Sequence, residues 1–128
     1  ELASAYTSFI DGTYEEPHAI RKVVDRDGNI LYSWQDKSEE VWSPSTVSTI
    51  RDLMKDVVLN VTGRGITYST SYTGAKTGTT DRYKDLWVAG MNDQYTTAVW
   101  IGYDKPASVE RLSKQKLHLR AFSELLKK

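Results

Sequence analysis

A chain of 128 residues can bury a single core. Seventeen Lys and Arg residues balance 17 Asp and Glu, a formal net charge of +0, so no global field draws nucleic acid or an anionic membrane surface, and nucleic acid is not an expected partner. The sequence has no cysteine, which excludes disulfides and thiolate metal or redox sites while saying little about compartment, and it contains neither a signal peptide nor an apolar run of transmembrane length.

In chain order, Glu1-Leu2-Ala3-Ser4-Ala5-Tyr6 reads as the tail of a helix without a start signal, ended by Asp11-Gly12, as expected where a domain has been cut. Residues 20–34 predict a peripheral hairpin: Arg21 to Val24 and Ile30 to Trp34 flank Asp25-Arg26-Asp27-Gly28-Asn29, where Asp-Gly supplies the positive-φ positions of a tight turn. Ser43-Pro44 opens a helix, with serine as N-cap and proline in the first turn, and Val47, Ile50, Leu53, Met54, Val57 and Val61 recur at helical spacing as its core stripe. Leu86 to Met91 and Tyr95 to Asp104, separated by a turn at Asn92-Asp93-Gln94, predict two antiparallel strands. Leu86 and Val88 point one way and Trp87, Ala89 and Met91 the other, so this strand wants cover on both faces. Leu117, Ala121, Phe122, Leu125 and Leu126 form an amphipathic helix suited to one of those faces.

The densest chemistry lies in Lys76-Thr77-Gly78-Thr79-Thr80, at what reads as the entrance to a strand. A lysine offers three donors and a point charge, the threonine hydroxyls can bind the same anion, and Gly78 removes the Cβ where a substrate backbone must come close. An extended peptide could lie along such an edge by strand addition. In isolation Lys-Thr-Gly equally describes a solvated lysine beside a turn glycine. Its context decides.

That context, Lys76-Thr77-Gly78-Thr79-Thr80, then Asp85-x-Trp87, then Gly90, then Tyr95-Thr96-x-Ala98-Val99-Trp100-x-Gly102-Tyr103-Asp104, resembles the C-terminal half of the transpeptidase domain of class A penicillin-binding proteins. Leu53, Val57 and Val58 leading into Thr62-Gly63-Arg64-Gly65 resemble the helix and glycine turn before the same strand. The sequence departs from the family at Ala75, where glycine is common, and at Thr62 to Gly65, where the family has Gly-Thr-Gly. The resemblance implies an α/β fold of the α+β type, a mainly antiparallel sheet flanked by helices, with residues 1–128 as the C-terminal portion of one domain. It also implies acyl transfer: a serine attacks the D-Ala-D-Ala carbonyl of a peptidoglycan stem peptide and passes the acyl group to a neighbouring amine, and β-lactams acylate the same serine. Lys76 would then act through a second serine, Thr77 and Thr79 would hold the carboxylate, the Thr79 N–H would give half of the oxyanion hole, and Thr80 would join the substrate contacts. Asp85 and Trp87 would support them. The expected location is the outer face of the bacterial cytoplasmic membrane, held by an anchor outside residues 1–128.

The family's Ser-x-x-Lys and Ser-x-Asn lie before the Lys-Thr-Gly strand, and here no Ser-x-Asn occurs. The one Ser-x-x-Lys, Ser113 to Lys116, follows that strand and reads as an N-cap serine with solvated lysines, while Ser45 and Ser69 lack a lysine three residues on. A preceding part of the domain is therefore the expected partner, without which the chain should be inactive. A β-lactamase or β-lactam sensor, and a non-catalytic peptidoglycan-binding module, remain alternatives at this level. Asp85 suits a turn cap or salt bridge as well as a catalytic role. His18 and His118 have no ligand-spaced neighbours and read as surface histidines, the four tryptophans as packing residues, and no metal or cofactor is expected. Gly74-Ala75-Lys76-Thr77 fails as a phosphate loop, because Thr70 stands where glycine is required.

Overall fold

The structure, a computed structural model, describes residues 1–67 and 71–127; Ser69 and Thr70 lie outside the described residues. Helix α1 (Leu2–Asp11) ends where Gly12 takes φ 94, its N–H closing onto the Ser8 carbonyl at 3.0 Å. Glycine is obligatory there twice over, since a Cβ would also run into the carbonyl of Trp42. Two short antiparallel ribbons follow. Strand β1 (Thr13–Glu15) pairs with β4 (Ser38–Glu40), and β2 (Lys22–Val24) pairs with β3 (Ile30–Ser33) as the hairpin. In its turn only Gly28 has positive φ, and the Asp25 carboxylate fixes the loop by accepting from the N–H groups of Asp27 and Asn29 and the Asn29 amide.

Helix α2 (Pro44–Asn60) starts as its sequence dictates, the Ser43 hydroxyl accepting from the Thr46 N–H at 3.3 Å with Pro44 in the first turn. Its stripe differs from the expected one. Val47, Met54 and Val58 are buried, whereas Leu53 is 63% exposed and Val61, which lies past the helix end, 49% exposed. Buried positions seven and four apart keep one narrow line. Leu53 falls off it by more than a quarter turn, while Val61 continues the line but lies beyond the last helical residue.

Strands β5 (Thr73–Thr79), β6 (Asp85–Asn92) and β7 (Thr96–Gly102) form one antiparallel sheet in that order. The β6–β7 turn is capped by the buried Asn92, whose Oδ1 accepts from the N–H groups of Gln94 and Tyr95 at 2.8 and 2.7 Å. Helix α3 (Glu110–Lys114) leads into α4 (Leu117–Leu126). Phe122, Leu119 and Leu126 of α4 join Ala75, Val88, Val58 and Ile66 in one core cluster, while Met54 of α2 lies beneath Gly74, which by register faces the other way from Ala75. Helix α1 packs on β6, β7 and α2. The expected antiparallel sheet flanked by helices is thus present, covered on both faces. Gly90 permits it, because a Cβ there would strike the Gly74 carbonyl and Ala75 across the β5–β6 pair.

Three expectations about side chains need correction. His118 is buried on α4, and burial lowers its pKa below the ordinary histidine value. Trp42, Trp87 and Trp100 are substantially exposed: Trp42 donates to the Ser8 hydroxyl and stacks on Phe9, Trp100 donates to Asp85, and Trp87 lies against Trp100. Ser113 lies within α3 and caps no helix, and the Lys116 ammonium donates to the Arg64 carbonyl at 2.7 Å. No helix among the described residues is long and apolar enough to cross a membrane.

Candidate functional site

Lys76, Thr77, Gly78 and Thr79 occupy the second half of β5 and not its entrance, because the strand already begins at the buried Thr73. They stand opposite Ala89, Val88, Trp87 and Leu86 respectively. Among the described residues β5 has a strand partner on one side only, and α2 and its following turn pack against it, Thr62 reaching Thr77. The run follows strand alternation. Lys76 and Gly78 share a face with Trp87, and Thr77 and Thr79 share the other with Val88 and Leu86. Lys76 is exposed and rests its ammonium on the Thr77 carbonyl at 2.7 Å, which leaves two of its three donors for another partner.

Glycine at 78 is not demanded by packing. A Cβ added there would meet only the Trp87 Cβ, at 3.4 Å, an ordinary contact. Gly102 is a different case: a Cβ there would lie 2.5 Å from the Trp100 ring and 2.9 Å from Asp85 Oδ1. The Trp-x-Gly pattern is accounted for by an indole folded over its own strand, whereas Gly78 leaves room for something beyond these residues.

Thr80 and Asp85 close the end of β5 onto the start of β6. The Thr80 hydroxyl donates to Asp85 Oδ2 and accepts from the Asp85 N–H, both at 2.9 Å, while the Thr80 N–H donates to the Asp85 carbonyl at 3.1 Å. The other carboxylate oxygen accepts from Trp100 Nε1 at 3.0 Å. Asp85 is the first residue of β6 and works as a cap between three strand ends, and the hydroxyl of Thr80 is already engaged in that cap. Between them Arg82 and Tyr83 hold positive φ values of 60° and 55°, a strained pair in which the Tyr83 carbonyl accepts from the Val109 N–H at 2.7 Å.

One neighbour of the run has no counterpart among the residues the sequence singled out for chemistry. Thr62, in the turn after α2, places its hydroxyl 2.6 Å from that of Thr77. The signal available was only the presence of Thr62 at the start of the Thr62-Gly63-Arg64-Gly65 departure. Concave volume gathers elsewhere: a groove of about 470 Å³ lies between α1 and β1, lined by Thr7, Asp11, Glu15 and His18 among others. The Lys76 region is a strand edge. No cluster of three or more metal-ligating side chains occurs among the described residues.

A helix-flanked antiparallel sheet carrying Lys-Thr-Gly on its edge strand defines the class, and comparison with known proteins gives the family. The family model for the penicillin-binding protein transpeptidase domain matches residues 1–127. The chain belongs to that family. It is 43% identical over 113 residues to penicillin-binding protein 4 of Bacillus subtilis, covering 88% of this chain and 18% of that protein. It is 34% identical over 110 residues to penicillin-binding protein 1A of Aquifex aeolicus, covering 85% of this chain and 15% of that protein. The chain therefore spans less than a fifth of the length of these relatives. Its fold matches the D,D-transpeptidase domain of the peptidoglycan glycosyltransferase from Eggerthella lenta with a TM-score of 0.70 at 23% identity, over 96% of this chain and 31% of that one. It also matches penicillin-binding protein 1A from Haemophilus influenzae with a TM-score of 0.68 at 22% identity, over 82% and 22% of the two chains.

Proposed function

We propose that residues 1–128 form the C-terminal portion of a single serine transpeptidase domain, with the β2–β3 hairpin as its peripheral lobe, and that the complete enzyme cross-links peptidoglycan stem peptides and is acylated by β-lactams. The nucleophile and the second serine come from the preceding part of that domain. Strand alternation separates the two tasks of the edge strand. Lys76, on one face, stabilises developing charge and hands protons through the second serine, while Thr77 and Thr79, on the other, hold the carboxylate that D-Ala-D-Ala and penicillins share. The Thr79 N–H serves the oxyanion, Gly78 lets the substrate backbone approach, and Asp85 and Trp87 hold the strand from behind. The enzyme works outside the cytoplasmic membrane on an anchor supplied elsewhere in the protein.

The observation that carries this reading is Gly78: a glycine that internal packing does not require, between an exposed lysine and two threonines, on an edge strand. Exposed Trp87 and Trp100, whose rings lie 6.2 Å apart on neighbouring strands, support the partner domain portion, since an exposed apolar patch marks a surface that another body covers. The test is a pair of variants in the complete protein. Lys76→Ala should cut acylation by a fluorescent penicillin by a factor on the order of a hundred, as loss of an electrostatic catalytic group does. Lys84→Ala, in the same stretch of chain, should change it little. Equal rates in the two variants, with unchanged circular dichroism, would remove the proposal.

A further inference from the structure

Among the described residues, the hydrogen bond made by the Thr62 hydroxyl runs to a residue of the proposed site and not to its own turn. The two side-chain oxygens of Thr62 and Thr77 are 2.6 Å apart, a short distance for a pair of neutral hydroxyls. Thr62 is not left to find this position by chance. The Gly63 N–H donates to the Val57 carbonyl at 3.0 Å, and a Cβ on Gly63 would stand 2.9 Å from Val57 O and Val58 Cα, so only glycine lets the chain lie this close to the end of α2. Three residues on, Ile66 is buried in the core cluster with Leu119 and Phe122, and its N–H returns to the Gly63 carbonyl at 3.0 Å. Lys116 holds the turn from α4 through the Arg64 carbonyl. The turn is thus fastened to α2, to the core and to α4, and it carries Thr62 to the edge strand.

We propose that Thr62 is a specificity-determining positioning residue of this site: its hydroxyl donates to Thr77 Oγ1, so that the Thr77 proton is free for a substrate carboxylate. Each hydroxyl has one proton and can accept others. Of the two possible directions, an anion at Thr77 selects the one in which Thr62 donates inward, and a donor that is itself hydrogen-bonded in this sense is a better donor. The inference rests on the proposed function, because the carboxylate belongs to that substrate class.

The test uses the complete protein and the variants Thr62→Val and Thr62→Ser, each checked for an unchanged melting temperature, with Lys76→Ala alongside. Acylation is measured with a penicillin and with its methyl ester, which lacks the anion, and cross-linking is measured with a stem peptide ending in D-Ala-D-Ala. Thr62→Val should slow acylation by the free acid about five- to tenfold, the size of one lost hydrogen bond. It should leave the ester rate where it was, and Thr62→Ser should restore the free-acid rate. A parallel fall with the stem peptide assigns the pair to the carboxylate common to both; a fall with the penicillin alone assigns it to the antibiotic's. Equal losses for acid and ester, or no loss while Lys76→Ala is impaired, would overturn the role of Thr62 and leave the site standing. No loss in either Thr62→Val or Lys76→Ala would instead overturn the proposed function.

Discussion

The Asp85 cap offers the most quantitative check on the local architecture, through Asp85→Ala and Trp100→Phe made singly and together. The Asp85 carboxylate accepts from Thr80 at 2.9 Å and from the Trp100 indole at 3.0 Å. A hydrogen bond to a charged acceptor contributes roughly 1.5–3 kcal/mol when buried. Asp85 is only half-buried and Trp100 is 44% exposed, so screening brings each bond to about 1 kcal/mol. Asp85→Ala should therefore cost about 2 kcal/mol and Trp100→Phe about 1 kcal/mol, and the double variant should lose less than the sum by about 1 kcal/mol, because the second change removes a bond already gone. Urea unfolding followed by circular dichroism reads these differences as shifts in midpoint at constant slope. Additivity to within about 0.3–0.5 kcal/mol would refute the argument, since it would mean that the indole and carboxylate do not interact.

Four further outcomes follow from other parts of the structure. Gly102→Ala should destabilise the chain by about 1–3 kcal/mol, as overpacking does, because the Trp100 ring must move. Gly78→Ala should melt close to the parent but lower penicillin acylation in the complete protein, and a large loss of melting temperature in that variant would show that packing required the glycine after all. On α2, Met54→Ala should cost about 2–5 kcal/mol and Leu53→Ala less than about 1 kcal/mol by denaturant titration; equal costs would restore the wider stripe. His118 is buried with its pKa lowered, so the unfolded chain binds the proton more readily. Stability should be full above the unfolded value of about 6.5 and fall as pH drops below it, and melting scans from pH 8 to pH 5 should show this slope shrinking in His118→Phe.

The elements with strong local chemistry were legible in the sequence. Ser43-Pro44 predicted the start of α2 because capping is a contact among neighbours, and the aromatic and β-branched runs predicted β6 and β7 because both faces of that sheet are covered. What failed depends on distant partners. The β1–β4 ribbon joins two three-residue polar segments with no alternation to betray them, and β5 begins at Thr73 because β6 extends to Asn92 opposite it. Leu53 matches a helical period as well as Met54 does, yet only Met54 meets Gly74. At the site, residues 76–80 were legible as anion-holding groups from their side chains alone. That the Thr80 hydroxyl is taken up by Asp85, and that Thr62 reaches Thr77, are facts of register and of how a helix ends, which the order of residue types does not encode.

On the proposed function, this chain supplies the anion-holding strand of a penicillin-acylated enzyme and not its nucleophile. The most direct measurement is intact mass of the complete protein after exposure to penicillin, followed by peptide mapping of the adduct. One covalent penicillin per molecule is expected on a serine of a Ser-x-x-Lys sequence outside residues 1–128, with little adduct in Lys76→Ala at short times. An adduct on Ser45, Ser69, Ser113 or any other serine of this chain, or no adduct at all, would contradict it.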